Sequence, residues 1–279
     1  MRRTDFGKRF MRRKVSVAAA AVLVFFILLA LFGPYICPYN PLKQDLKNIY
    51  GGISKDHWLG TDYLGRDTLT RLVYGARVSL GISFAGVLAG CLVGMLLGVL
   101  AAFYGGWIDT LVCRVVDIML AFPGLLLAIT ISAILGNGVA NTAMAIAIFS
   151  VPSIARMVRS VVLVIKNEEY VQACRIMGES SPRIIFTHII PNAMSQIIVN
   201  TTLNLGGAIL TASSLSFLGL GVQPPNPEWG TMLSQARDAI RTAPIGVLMP
   251  GIFITLVVLS FSLVGDGLRD ALDPKLRNV

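Results

Sequence analysis

The side chains that most often do chemistry in proteins are few in this chain of 279 residues, and they lie far apart. It contains two histidines, His57 and His188, and four cysteines, none of which belongs to a Cys-x-x-Cys pair. A metal site needs several His, Cys or carboxylate ligands at close range, and a covalent catalytic site needs a nucleophile beside a base. We therefore predict no bound metal, no catalytic residues and free thiols at the cysteines.

A polar stripe interrupts the apolar sequence between residues 193 and 222. Gln196, Asn200 and Asn204 recur at every fourth position, and Thr211 and Ser214 roughly continue the same side of a helix. Because an unpaired amide that faces lipid is costly, we expect this side to face another helix or a hydrated path. Two interpretations stay open: a hydrogen-bonded seam between helices, or the lining of a translocation pathway.

A second polar region covers residues 166–192. Small and polar side chains at Gln172, Ala173 and Cys174 suit a short surface helix that another protein can approach closely. Gly178 supplies a turn, and Pro191 begins the next helix. The pattern predicts a helix-turn-helix that projects from the membrane, although taken alone it is equally compatible with a simple connector.

Both polar regions must be positioned by helices in lipid, because 54% of the residues in the chain are hydrophobic and only 14% are charged. A helix needs about 20 mostly apolar residues to cross a bilayer. Six segments qualify, with a bend expected at Pro123-Gly124 in the third. They are residues 15–36, 78–103, 116–135, 139–157, 193–222 and 245–265. We predict an all-α membrane protein with six transmembrane helices.

The distribution of Lys and Arg predicts the orientation of these helices. The first 14 residues hold seven basic side chains, which places the N-terminus in the cytoplasm, and six crossings return the C-terminus to the same side. On this topology 16 of the 24 Lys and Arg residues lie inside. The net charge of +9 is therefore interpreted as a topology signal, and no nucleic acid partner is expected. Arg114 and Asp117 are predicted to pair at the membrane boundary.

Residues 172–191 resemble a loop motif, E-A-A-x3-G-x9-I-x-L-P, of the permeases of binding-protein-dependent ABC importers. The resemblance implies that this loop couples the membrane helices to an ATPase. The corresponding residues here are Gln172, Ala173, Cys174, Gly178, Ile190 and Pro191.

The match to that loop motif is imperfect. Gln172 replaces a glutamate, Cys174 an alanine and His188 an isoleucine. The acidic charge that the family often presents is therefore dispensable here or is supplied by Glu168 or Glu169.

Five further stretches are similar to the C-type permease of dipeptide, oligopeptide, glutathione and nickel importers, and the resemblance extends over nearly the whole chain. They are residues 57–62 (HWLGTD), 64–67 (LGRD), 214–221 (SLSFLGLG), 227–230 (PEWG) and 265–274 (GDGLRDALDP). The resemblance implies a type I ABC importer permease fold, in which one N-terminal helix precedes a five-helix core. Residues 1–76 would hold the first helix and an extracytoplasmic segment, residues 77–266 the permease domain, and residues 267–279 a cytoplasmic tail.

The resemblance also implies a function and a set of partners in the bacterial inner membrane. The chain would form the translocation pathway for peptides of the dipeptide, oligopeptide or glutathione type, with a nickel chelate or an opine as alternative solutes. A related B-type permease, two ATPase subunits, a solute-binding protein and membrane lipid would be its partners. Residues 223–244 would form an external elbow, either near the docked binding protein or as a structural lid.

No G-x-x-x-x-G-K-[ST] phosphate loop occurs in the chain. We therefore expect that this chain is not an enzyme and binds no cofactor, and that ATP and Mg²⁺ are used by the partner ATPases. Two other classes of protein have different requirements. A secondary transporter would need intramembrane ions or broken repeats, and a membrane-embedded enzyme would need a catalytic pair at bilayer depth.

Overall fold

The computed structural model describes residues 10–272, and these residues form helices and connecting loops without a β-strand. Most of the basic cluster at the N-terminus and the last part of the predicted tail, residues 273–279, lie outside the described residues. The helices are α1 (Lys14–Ile36), α2 (Thr68–Tyr104), α3 (Gly106–Ala121), α4 (Gly124–Leu135), α5 (Val139–Ile165), α6 (Glu169–Ile176), α7 (Ser181–Ile184), α8 (Ile190–Phe217), α9 (Trp229–Ala236) and α10 (Ile245–Leu272). A π-helical turn, Ile185–Ile189, joins α7 to α8, and a 3₁₀ turn, Arg237–Ala239, follows α9.

Four of these helices, α1, α2, α5 and α10, are long and apolar enough to cross a membrane. The pair α3 and α4 passes the same test together, which makes up to five spans among residues 10–272. Helix α8 has 28 residues, but the polar stripe makes it less apolar than the others. The all-helical membrane class is thus confirmed, whereas four or five of the six predicted spans pass this test of length and composition among residues 10–272.

The third predicted segment, residues 116–135, is not one straight helix. It begins ten residues earlier than predicted, and α3 and α4 are bent by 98° at Phe122-Pro123. Proline lacks a backbone N–H and pushes the residue before it out of the helical region, and Phe122 is accordingly extended, with φ −82° and ψ 139°. The predicted bend at Pro123-Gly124 is confirmed. Because the bend is as large as 98°, the segment forms two separate helices.

Helices α2 and α5 pack with their backbones in close contact along a stripe of four glycines on α2. These residues are Gly86, Gly90, Gly94 and Gly98. A Cβ atom added at each of them would lie 2.6–3.0 Å from a carbonyl oxygen of α5. The carbonyls belong to Ala143, Ala147, Val151 and Ala155. Only glycine permits this approach, which is how small residues let helices associate in lipid.

At one end of the bundle, Glu228 and Trp229 join α9 to three other helices. The buried Glu228 carboxylate accepts hydrogen bonds from the Ser79 hydroxyl on α2 at 3.0 Å and from the Thr231 amide at 2.8 Å, so it also caps α9. The Trp229 ring contacts Phe26 of α1 and Phe253 of α10, with centroids 5.9 and 5.8 Å apart. We call this the Glu228 end. The motif at residues 227–230 is therefore a packing element.

The polar segment before α2 folds against the start of that helix. Asp62 accepts backbone hydrogen bonds from Leu64 and Arg66 and binds the Arg66 guanidinium at 2.7 Å. Asp67 caps α2 by accepting the Thr70 amide at 2.7 Å, and its second oxygen lies 2.9 Å from His57 Nδ1. The motif residues between 57 and 67 thus build the entry into α2.

The glycine stripe predicts opposite effects for the same substitution at two positions of α2. Gly90→Ala should lower the free energy of unfolding by about 1–3 kcal/mol, because the added methyl group meets the backbone of α5. Gly81→Ala, at an exposed position with no atom within 4 Å of the added carbon, should be neutral or stabilise by about 0.5–1 kcal/mol. Thermal unfolding of the two purified variants in detergent measures this, and equal midpoints would contradict the assigned packing.

Candidate functional site

The candidate site is built on α6, a short helix at the opposite end of the bundle from Glu228. Val171 is 0% exposed and packs in a buried cluster with Phe103 of α2 and Val162 of α5. The Arg175 guanidinium lies over the Phe103 ring, 4.8 Å from its centroid. One side of α6 is therefore fixed to the ends of the two glycine-packed helices. We call this the Gly178 end.

The opposite side and the tip of α6 project from the bundle. Ile176 is 87% and Met177 77% exposed, and both acidic residues at the start, Glu168 and Glu169, are exposed as well. Gly178 follows the tip with φ +80°, a backbone conformation that side chains with a Cβ rarely adopt. A Cβ there would meet no atom within 4 Å, so the glycine is required by the turn and not by crowding.

The sequence-predicted loop residues lie together in this helix-turn-helix. Gln172 does not present a free amide, because its Nε2 donates to the Lys166 carbonyl at 3.0 Å. Ala173 is exposed beside it, and Ile190 and Pro191 form the first turn of α8. The side chain of Asn192 donates to the Tyr170 hydroxyl at 3.1 Å, which ties α8 back to α6.

The side chains of Cys174, Glu179 and His188 come together inside this turn. The Cys174 Sγ atom lies 3.6 Å from His188 Nε2, and that nitrogen lies 3.3 Å from Glu179 Oε2. A hydrogen bond to Glu179 raises the pKa of the Cys174 thiol above its ordinary value, and burial adds to the effect. The prediction that the His, Cys and carboxylate side chains lie too far apart to form a cluster is wrong here, because the turn at Gly178 and the π-helical turn bring three of them together.

The polar stripe of α8 is exposed at Gln196 and half-buried at its other four positions. Gln196 and Asn200 line an open groove of about 360 Å³ together with Arg269 of α10. Asn204 donates to Asn200 Oδ1 at 2.7 Å, and Thr211 and Ser214 bond to carbonyls of their own helix. Within residues 10–272, none of these five side chains hydrogen-bonds to another helix, so a seam inside this chain is not formed.

Ion pairs that the sequence did not reveal hold α3 to α5. Asp117 pairs with Arg156, and the predicted pair with Arg114 on its own helix is wrong. Arg159 binds Asp109 with two hydrogen bonds, at 2.5 and 2.6 Å. The partners of Arg156 and Arg159 lie 39 and 50 residues away in the sequence, so helical spacing does not predict these pairs.

The motif that begins at residue 265 also has a packing role at the Gly178 end. A Cβ on Gly265 would lie 2.5 Å from a Leu203 methyl carbon of α8, and one on Gly267 would lie 2.5 Å from the Ser16 hydroxyl of α1. Asp270 forms an ion pair with Arg13. These contacts hold α10 against α8 and α1, and residues 273–274 of the motif lie outside the described residues.

The fold is that of the membrane subunits of ABC importers. It is similar to the MetNI methionine ABC transporter in an inward-facing conformation, with a TM-score of 0.61, 19% identity, and coverage of 73% of this chain and 97% of that chain. An amino acid ABC transporter has a TM-score of 0.54 and 15% identity, with coverage of 71% and 92%.

Sequence comparison identifies the family. Residues 94–278 match the binding-protein-dependent transport system inner membrane component, and residues 3–51 match the N-terminal TM domain of oligopeptide transport permease C. A dipeptide transport system permease protein of Alkalihalophilus pseudofirmus is 48% identical over 97% of this chain and 89% of the relative. A glutathione transport system permease protein of Pectobacterium atrosepticum is 46% identical over 98% and 91%. The chain therefore belongs to the family of inner-membrane permease components of binding-protein-dependent ABC importers, and the resemblance found in its motifs is confirmed.

The buried Val171 side chain is expected to hold α6 against the bundle, and a second position on the same helix provides a matched control. Val171→Asn places an amide in the buried cluster, at a cost of about 1–3 kcal/mol, and should release α6 from the bundle. Ala173→Asn places the same side chain at an exposed position and should leave α6 docked. Hydrogen exchange of the amides of α6 should accelerate in the first variant only, and equal exchange in both would contradict this docking.

Proposed function

We propose that this chain is one of two permease subunits of an ATP-driven peptide importer and that residues 168–191 contact its ATPase. The observation that carries the proposal is the build of α6, which is anchored on one side through Val171 and exposes Ile176 and Met177 on the other. Exposed apolar side chains on a fixed element are typical of a protein contact surface. The dipeptide and glutathione permeases among the relatives support a peptide as the solute.

The proposed topology has six crossings with both termini in the cytoplasm. In this topology α3 and α4 together make one crossing and α8 makes another, in addition to the four apolar helices. The Gly178 end then lies in the cytoplasm, where the excess of Lys and Arg and the ATPases belong. The Glu228 end, with residues 37–67 and the elbow at 223–244, faces the solute-binding protein. The bacterial inner membrane is the proposed location.

Coupling would work through the packed helices. When the ATPases close on ATP and Mg²⁺, they move α6, and its buried Val171 contact passes the movement to α2 and α5. Because these two helices are joined along the glycine stripe, they would shift as one body, and the transition between inward-open and outward-open states is a change of packing rather than local chemistry. The chain itself would hydrolyse no ATP and hold no cofactor.

The solute path is proposed to lie along the polar stripe of α8, opposite the B-type permease. This assignment is supported by the groove at Gln196 and Asn200 and by the absence, within residues 10–272, of any interhelical hydrogen bond from the stripe. A nickel chelate or an opine is the alternative solute. A secondary transporter is the alternative class, and uptake that survives ATP depletion would identify it.

The coupling role is tested at Gly178. Gly178→Val should leave membrane insertion intact but uncouple solute uptake from ATP hydrolysis, because a β-branched residue at φ +80° costs about 1–2 kcal/mol and reshapes the turn. Gly178→Asn is the matched control, since asparagine tolerates this conformation and should keep uptake near the original level. Uptake and ATPase rates are measured in vesicles that contain the whole transporter. Normal coupled uptake by the valine variant would refute the role of this turn.

The path is tested by the accessibility of introduced cysteines. In a background with the four native cysteines changed to serine, Asn200→Cys and Thr211→Cys should react with a charged, membrane-impermeant thiol reagent, and solute or ATP should change the rate. Ile252→Cys is the control, because this exposed position on α10 belongs to an apolar helix surface that would face lipid. Equal labelling at all three positions would rule out a hydrated path along α8.

A further inference from the structure

The cluster of Cys174, Glu179 and His188 has the composition and spacing of a metal site. Each side chain offers one ligand atom, and the three atoms lie within 4.8 Å of one another. The residues come from three consecutive pieces of the helix-turn-helix: the last turn of α6, the loop after Gly178 and the π-helical turn before α8. Two of them, Cys174 and His188, are also positions at which the chain departs from the loop motif described above.

Two of the three separations between the ligand atoms agree with the edges of a tetrahedral zinc site. With Zn–S near 2.3 Å and Zn–N and Zn–O near 2.0–2.1 Å, a tetrahedron has a sulfur-to-nitrogen edge of about 3.6 Å and a nitrogen-to-oxygen edge of about 3.3 Å. The structure has 3.6 Å between Cys174 Sγ and His188 Nε2, and 3.3 Å between that nitrogen and Glu179 Oε2. These two edges fit a zinc-sized ion, and the third, between Cys174 Sγ and the Glu179 carboxylate, is within 4.8 Å.

The backbone and the neighbouring side chains hold the ligands in place. The Glu179 amide donates to the Cys174 carbonyl at 3.0 Å, which fixes the loop against the end of α6. Arg183 binds Glu179 Oε1 at 3.2 Å and leaves Oε2 directed to His188. The His188 ring packs edge-on against Tyr170, with centroids 6.3 Å apart.

We propose that Cys174, Glu179 and His188 bind a single Zn²⁺ ion or a similar borderline-soft divalent cation at the base of the α6 tip. Thiolate, imidazole and carboxylate are the donor types that zinc takes, and water would complete the tetrahedron because the cluster is only half-buried. Binding displaces the proton of the Cys174 thiol, so thiolate and carboxylate together balance the two charges of the ion. The ion would fasten the tip of α6 to the start of α8. This metal-binding proposal does not depend on the proposed transport role.

Cobalt serves as the probe, because a thiolate–Co²⁺ bond gives a near-ultraviolet charge-transfer band and tetrahedral Co²⁺ absorbs strongly in the visible region. The full-length chain is purified in detergent with a tag that contains no histidine, stripped with chelator and titrated with Co²⁺. We expect both bands to saturate at one equivalent and to disappear when Zn²⁺ is added. Hydrogen exchange across residues 174–188 should slow on addition of Zn²⁺.

Single substitutions assign the ligands. Cys174→Ser and His188→Ala should each abolish the charge-transfer band or weaken Co²⁺ binding at least about 100-fold. Cys113→Ser and His57→Ala are the matched controls, since they remove the same side-chain types elsewhere and should leave the titration unchanged. Thermal unfolding of each variant without metal separates ligand loss from misfolding.

Two results would overturn the proposal. One is a wild-type chain that shows no thiolate–cobalt band, in which case the cluster is held by hydrogen bonds alone. The other is a band that persists in Cys174→Ser or is lost in Cys113→Ser, which would place the ion elsewhere.

Discussion

The close backbone contact between α2 and α5 is the constraint on which the rest of the structure depends. Lipid tails are as apolar as the helices, so burial of apolar surface does not drive helices together inside a bilayer, and dispersion contacts at short range have to do so. Four glycines on α2, from Gly86 to Gly98, allow this contact along somewhat more than about three helical turns. The two buried clusters of the protein lie toward opposite ends of this helix pair.

Each end of the pair carries a different kind of attachment. At the Glu228 end, a buried carboxylate and an indole ring fix α9, α1 and α10 to α2 by hydrogen bonds and aromatic contacts. At the Gly178 end, a single short helix is fixed by Val171 and leaves its tip exposed. In the proposed coupling role, a force applied to that tip would reach the ends of α2 and α5 through the buried Val171 contact.

The motifs of the family divide into two groups in this structure. Those at residues 57–67, 227–230 and 265–272 cap, pin or closely pack the helices, and their side chains are largely satisfied within the chain. The α6 tip is exposed, and the side chains in the polar stripe of α8 form no hydrogen bond to another helix among residues 10–272. The packing motifs are therefore explained by folding of the chain itself. Contacts with other subunits are to be sought at the α6 tip and the polar stripe.

The sequence by itself determined the helical membrane class, the helix-turn-helix around Gly178, the bend at Pro123 and the side of α8 on which the amides lie, because composition, backbone restriction and helical period are local properties. Tertiary structure alone decided that Asp117 pairs with Arg156, that the glycines of α2 meet the carbonyls of α5, and that Cys174, Glu179 and His188 converge. Each of these depends on how separate segments pack in space. Helical periodicity states which side a residue occupies, but not which distant segment will cover it.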